Sequence, residues 1–337
     1  MLPLDTKRGG ERTTVQLVDV RRNKGFYSFN FYKLHRWAKL CKKYGIEYLE
    51  IAHFFTQWGA TSTPKIMATV DGNYIKLFGW ETDAHSNEYK DFLQSLLPSL
   101  KAVLMDEGYD EEHIYYHISD EPSPSQLESY KKAREMVKDL ISDNQIIDAL
   151  SSVEFYKKGI VSHPIPGTSE IEDFYKENIK GLWVYYCCAQ CKDLPNRFFS
   201  MPSYRNRIMG VLMYLYNIEG FLHWGFNFYN SKFSLKKINP FINTHADFGY
   251  PSGDAFLVYP GNNGQPLDSL RAEVQDEGIL DLTSLQYLES LTSRDFVTSL
   301  IYDGRSDTPF SFTSYPREEE YLLNLREKVF NEIKKRV

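Results

Sequence analysis

The chain reads as an α/β fold, a (β/α)8-type TIM barrel, and three observations carry that expectation. Strand-like and helix-like segments alternate along most of the sequence with short punctuated links, the pattern of βα units around a parallel sheet. At 337 residues the chain can bury one large core, and a barrel commonly needs about 250. The third observation is the run Tyr115-Tyr116-His117-Ile118-Ser119-Asp120-Glu121-Pro122, an apolar and aromatic strand that ends on two carboxylates and a proline. Charge is tolerated poorly inside a strand and Pro122 cannot extend a central ladder, so Asp120 and Glu121 belong where the strand opens into a loop. That strand end is where α/β barrels keep their chemistry.

Taken in order, Thr14 to Val20 is a strand, and the polar turn Arg21-Arg22-Asn23-Lys24-Gly25 leads to its hairpin partner, Phe26 to Asn30. A helix from Phe31 to Tyr44 places Phe31, Leu34, Trp37, Leu40, Cys41 and Tyr44 on one face and stops at Gly45. Strand Ile46 to His53 follows. The helix Asn87 to Glu107 carries a leucine-rich face, with Pro98 expected to kink or split it, and Gly108 ends it. After Pro122, Ser125-Gln126-Leu127-Glu128 reads as a capping box for a helix that buries Leu127, Tyr130, Met136, Val137, Leu140 and Ile141. Further strands are expected at Gln145 to Leu150, Ile160 to His163, Gly181 to Cys188 and Gly220 to Phe226, separated by helices near Val153 to Lys158, Glu170 to Asn178 and Ser203 to Glu219. One dominant catalytic domain spans 1–337: a strand and hairpin segment over 1–30, the barrel core over 31–230, and an extra strand with C-terminal helices over 231–337.

Composition narrows the function classes. A net charge of -6 and no dense Lys/Arg stripe argue against a nucleic-acid partner, and Lys334-Lys335-Arg336 is a solvated helix end. No run of about 18 apolar residues exists to span a membrane. The start Met1 to Arg8 lacks the apolar core of a signal peptide, so the chain as written is expected in the cytoplasm, although a longer form could be secreted. Four cysteines are too few and too clustered for a disulfide framework. Cys187, Cys188 and Cys191 lack a second Cys-x-x-Cys or a His pair to complete a zinc site, so no metal and no cofactor is expected. The 24 Tyr, 22 Phe and 5 Trp offer sugar platforms, but most such rings pack cores.

Adjacent carboxylates restrict the mechanism. Two-carboxylate glycosidases hold their acids roughly 5 to 9.5 Å apart across the sugar, usually on different segments. Neighbouring residues cannot easily straddle a ring, and two side-by-side anions favour one shared proton. One carboxyl then donates a proton while the other stays ionised. That division suits substrate-assisted hydrolysis, in which the sugar's own 2-acetamido oxygen attacks C1. The plainer reading is that Asp-Glu-Pro caps the following helix.

In combination, several segments resemble family 123 glycoside hydrolases, which are β-N-acetylgalactosaminidases, and their relatives. They are Tyr116 to Pro122, Leu4-Asp5-Thr6, Gly10-Glu11-Arg12, Thr14 to Val20, Ala52 to Gly59, Leu182 to Cys188, Gly220 to Gly225 and Gly253 to Gly261. The resemblance spans nearly the whole chain. It implies that Glu121 is the general acid/base and Asp120 the residue holding the acetamido group, on a glycan or glycoconjugate bearing β-linked N-acetylhexosamine. Only six barrel strands can be counted, at 46, 114, 145, 160, 181 and 220, and the β-sandwich domain and first strand that relatives carry in front have no counterpart.

Other pocket residues are expected at strand ends: His53 and Trp58, Tyr185 in preference to Tyr186, and Trp224 with Asn227, where Gly225 gives room for close approach. His117 and His163 are further candidates, His117 more as a core histidine that orients its neighbours. Two alternatives stand beside this reading. One is a catalytically inactive, carbohydrate-binding remnant; the other is a conventional glycosidase pairing Glu121 with Glu154 or Asp247.

Overall fold

The computed structural model describes residues 15–304 and 309–337; the motifs at Leu4-Asp5-Thr6 and Gly10-Glu11-Arg12, and Thr14 itself, lie outside the described residues. The chain divides into two compact units, Met1–Ile165 with Phe233–Lys236, and Pro166–Lys232 with Lys237–Val337.

The first unit opens with the hairpin of β1 (Asp19–Asn23) and β2 (Phe26–Asn30). Lys24 and Gly25 both take positive φ, 48° and 86°, the two-residue turn whose twist matches its strands. Because that turn uses only two residues, Asn23 pairs with Phe26, and Arg21 to Asn23 belong to the ladder rather than to the expected polar turn. Helix α1 (Tyr32–Lys43) follows, then β3 (Leu49–Ile51), β4 (Ile66–Val70) and β5 (Asn73–Phe78). Strands β4 and β5 form an antiparallel pair joined at Asp71 and Gly72, with φ of 45° and 89°. They complete a four-stranded sheet in the order β2-β1-β4-β5.

Helix α2 (Asn87–Asp106) runs unbroken through Pro98 and buries Tyr89, Phe92, Leu93, Leu96, Leu97, Leu100 and Leu104. Phe78 of β5 packs its ring 5.2 Å from Tyr89 and 5.3 Å from Phe92. Each buried ring of this kind contributes about 1.5–3 kcal/mol, so this cluster ties the antiparallel sheet to the helix. On α1, only Leu34, Ala38 and Cys41 are buried; Trp37, Leu40 and Tyr44 of the expected apolar face stay exposed.

Strand β6 (Ile114–Tyr116) pairs in parallel with β3, Glu50 opposite Tyr115. Two further bonds extend that ladder past both strand ends, Phe54 N to His117 O at 3.1 Å and Phe55 N to Ile118 O at 3.0 Å. Helix α3 (Leu127–Val137) is entered through a capping box made by Ser123 and Gln126 rather than Ser125 and Glu128, because the turn Pro124–Gln126 comes first. A parallel bridge joins Tyr116 to Ile146, leading into β7 (Ile147–Leu150), α4 (Glu154–Lys157) and β8 (His163–Pro166), which pairs with β7.

In the second unit come α5 (Ile171–Tyr175), β9 (Trp183–Tyr185), α6 (Tyr204–Arg207), α7 (Met209–Leu215) and β10 (Gly220–Leu222). After them lie β11 (Tyr259–Pro260), β12 (Pro266–Leu267), α8 (Leu270–Leu291), α9 (Arg294–Tyr302) and α10 (Glu319–Lys334). Strands β9 and β10 are parallel, and Gly167 bridges in parallel to Tyr185. The regular bond of that bridge runs from Thr168 N to Tyr185 O at 2.9 Å. Helices α7 and α8 approach at glycines: a Cβ on Gly210 would stand 1.9 Å from Gly278 O. Asp281 of α8 then accepts from Arg207 and Arg326, each at 2.7 Å.

The architecture is therefore mixed α/β. All six counted strands occur, as β3, β6, β7, β8, β9 and β10, most of them shorter than expected and β8 shifted rather than shortened, and among the described residues the ladders do not close into one ring. No helix among the described residues is long and apolar enough to cross a membrane.

Candidate active site

Asp120 and Glu121 sit four and five residues beyond β6, where the ladder with the Phe54–Phe55 segment has just ended. Their surroundings differ. The Asp120 side chain is 22% exposed and its Oδ2 accepts a hydrogen bond from Gln57 Nε2. Glu121 is exposed and adopts a left-handed backbone with φ of 44°, a conformation that costs a non-glycine residue about 1 kcal/mol or more. The loop opposite is also left-handed, at Trp58 (φ 58°), Gly59 (φ 113°) and Ala60 (φ 55°). It is clamped by Trp58 N donating to Asp120 O at 3.3 Å and by Gln126 Nε2 donating to Trp58 O at 2.6 Å. Two strained segments that hold each other place Gln57 on the Asp120 carboxylate.

Burial raises the Asp120 carboxyl above the usual aspartate range, against the Gln57 hydrogen bond and the charge of His117, while the Glu50 anion pushes the same way as burial. Burial is the leading cause of that rise. Two carboxyls in unlike environments remain a means of dividing acid from anion roles.

Behind Asp120 lies a cluster that the sequence reading largely missed. His117 is 1% exposed. Its Nδ1 lies 3.2 Å from Asp148 Oδ1, and its Nε2 is 2.8 Å from Glu50 Oε1, an ion-pair contact off hydrogen-bond alignment. Asp148, on β7 and fully buried, also accepts from Tyr130 Oη of α3 and, at 3.5 Å, from Ser119 N. Burial alone would depress His117, yet Asp148 and Glu50 push it up to about 10. His53, whose ring centroid is 4.3 Å from that of His117, goes the other way: burial and the His117 charge lower it to about 3. His53 Nε2 stands 3.9 Å from Asp120 Oδ1. A neutral imidazole thus borders the carboxylate, with a cationic one beyond it.

His53, His117 and Asp148 each bring a donor atom within 4.8 Å of the others, close enough to hold a metal ion. Both His117 nitrogens already face carboxylates, so an ion-paired imidazolium accounts for the arrangement.

Of the remaining expected residues, Trp58 is 49% exposed on the strained loop. His117 is enclosed among Glu50, His53 and Asp148. His163 requires a correction: it begins β8 rather than ending a strand, donates its N–H to Ile146 O at 3.0 Å and meets Tyr115 edge-on. It therefore lies at the strand-start side, away from Asp120. The strand thus lies three residues later than the expected Ile160 to His163 and runs through Pro164 and Pro166.

Tyr185, Trp224 and Asn227 lie in the second unit. Tyr185 is 9% exposed and Tyr186 fully buried, its hydroxyl 2.9 Å from Asn206 Oδ1. Strand β10 stops at Leu222, so Trp224 and Asn227 stand on the loop after it, Asn227 bridged to Phe256. Trp224 is 42% exposed and donates Nε1–H to the buried Asp254 at 3.0 Å, with Tyr250 and Phe228 against its ring. Arg197 fixes this loop through His223 Nδ1, Gly225 O and Asp254 O. At Gly225 a Cβ would stand 2.7 Å from the Asp254 carbonyl oxygen, so the fold itself needs a glycine there.

The residues missed from sequence are Gln57, Glu50, Asp148, Tyr130 and Asp254. The signal for Glu50 was available, since period-2 alternation along β3 turns its side chain to the opposite face from Leu49.

Comparison with known proteins bears on the fold and the family. A solved structure of a family 123 glycoside hydrolase from Clostridium perfringens, described for glycolipid glycan hydrolysis, superimposes with a TM-score of 0.66 at 15% identity. The match covers 99% of this chain, which spans 60% of that one. Among curated proteins none matches. The catalytic-domain model of glycoside hydrolase 123 matches residues 2–288, and the chain accordingly belongs to that family.

Proposed function

We propose that this protein is a glycoside hydrolase that cleaves β-linked N-acetylgalactosamine from a glycan or glycoconjugate with retention, using the substrate's acetamido oxygen as nucleophile. Family membership supports the hydrolase, and the carrying observation is the unlike setting of two adjacent carboxyls. Asp120 is recessed and held by Gln57; Glu121 is exposed on a left-handed turn. In this reading the ionised Asp120 accepts the acetamido N–H, which makes the carbonyl oxygen a better nucleophile and steadies the oxazolinium as its charge develops. Glu121 protonates the departing glycosidic oxygen and then takes a proton from the water that opens the ring. Trp58 offers an aromatic edge beside the carboxylates. We read the β3, β6, β7 and β8 ladder of the first unit as an arc of the barrel type, with the acid pair at its C-terminal rim.

The test uses aryl 2-acetamido-2-deoxy-β-galactosides. Glu121→Gln should lose turnover on poor leaving groups while retaining much of it on a dinitrophenyl glycoside, and Asp120→Asn should be impaired on both. Wild-type rates in both folded variants would refute the proposal. A conventional partner is less well supported, because Glu154 is an exposed residue of α4 beside Lys158 Nζ at 3.5 Å.

A further inference from the structure

We propose that Asp148 is a positioning residue for Asp120: it holds the Ser119 backbone and, with Glu50, keeps His117 as the cation that steadies the Asp120 carboxylate. The inference rests on Asp120 being catalytic. Its basis is geometric. Asp148 is fully buried and its two oxygens divide their partners. Oδ1 faces His117 Nδ1 at 3.2 Å; Oδ2 takes Tyr130 Oη–H and the N–H of Ser119, the residue directly before Asp120. Ser119 is fixed from the other side as well, its Oγ donating to Thr56 O at 2.8 Å, one residue before Gln57. A single carboxylate on β7 thus reaches the backbone that carries Asp120 and the imidazole that offsets its charge.

The groups facing His117 are Glu50 from β3, His53 beyond that strand, and Asp148 from β7. Asp120 meets Gln57 and His53 directly, and the Glu50 anion opposes its ionisation. A buried anion in a site of low dielectric is costly unless paired, and with His53 held neutral, His117 is the positive charge this cluster supplies. Replacing Asp148 by Asn keeps the shape but not the anion, so His117 loses its proton more readily and Asp120 is harder to ionise.

The experiment compares Asp148→Asn, Tyr130→Phe and Asp120→Asn with the wild type in pH profiles of kcat and KM on an aryl N-acetyl-β-galactosaminide, alongside His117 imidazole signals by NMR. Asp148→Asn should lower kcat by about tenfold or more with KM within about twofold. It should move the acid limb of kcat to higher pH, and His117 should titrate at lower pH. Tyr130→Phe should shift both in the same direction by less, and it stands in should Asp148→Asn fail to fold. Unchanged acid limbs and an unchanged His117 titration in a folded variant overturn the inference while leaving Asp120 catalytic. Full activity in Asp120→Asn instead overturns the reading beneath it.

Discussion

Gln57 donates its side-chain amide to Asp120 Oδ2 from a loop whose next residue, Trp58, donates its backbone N–H to the Asp120 carbonyl. Carboxylate and backbone are thus held by consecutive residues. A hydrogen bond to a charged group is worth about 1.5–3 kcal/mol, so Gln57→Ala should lower kcat roughly 10- to 100-fold with little change in melting temperature. Steady-state kinetics with circular dichroism checks this; wild-type turnover would show that Gln57 does not orient the acid.

In the proposed mechanism Asp120 must be ionised to steady an oxazolinium, and burial raises it above the usual aspartate range. Activity should therefore fall as pH drops through that raised value, and the acid limb of kcat/KM should lie above the range of an exposed aspartate. Gln57→Glu adds an anion and should move the limb further up. A limb that stays in place in this variant counts against Asp120 as the titrating group.

The two buried histidines give opposite pH signatures. His117 is raised from 6.5 to about 10, so its stabilising contribution is full below pH 6.5 and is lost as pH rises toward 10. His53 is lowered from 6.5 to about 3, so its neutral form is favoured above pH 6.5 and stability is lost as pH falls toward 3. Urea midpoints measured across this range should be highest near neutrality. His117→Gln should be less stable by about 3 kcal/mol or more, having left the buried Asp148 carboxylate unpaired, and should lose the decline on the alkaline side. A decline of equal size in that variant would assign it to other groups.

Gly59 has φ of 113°, and a Cβ there would lie 3.2 Å from the Gln126 side chain that holds Trp58 O. Gly59→Ala should cost about 1 kcal/mol or more and, by loosening the clamp, reduce kcat as well. Thermal melts and turnover on the same preparation decide; a stable, fully active variant would show that the loop tolerates rearrangement.

How much of this was legible depends on the range of the signal. Asp120 and Glu121 stood out because charge and proline end an aromatic strand locally. The Phe26 to Asn30 hairpin partner and the helices α1 and α2 followed from turn residues and apolar periodicity. The strands β4 and β5 were missed although Asp71-Gly72 between Val70 and Asn73 is a strong hairpin sequence; its signal was overlooked, not absent. Asp148 is different in kind. It reads as one polar residue in the apolar run Ile146 to Leu150, and its meaning depends on His117 and Tyr130, which only the fold brings to it. His163 was misplaced because Pro164 and Pro166 argue locally against a strand, while the pairing with β7 overrides them.

The central claim, that the sugar supplies its own nucleophile, is tested most directly by comparing turnover of an aryl 2-acetamido-2-deoxy-β-galactoside with that of the matching aryl β-galactoside bearing a 2-hydroxyl. Rapid release from the first and essentially none from the second is the expected result. Comparable rates on both would contradict the account.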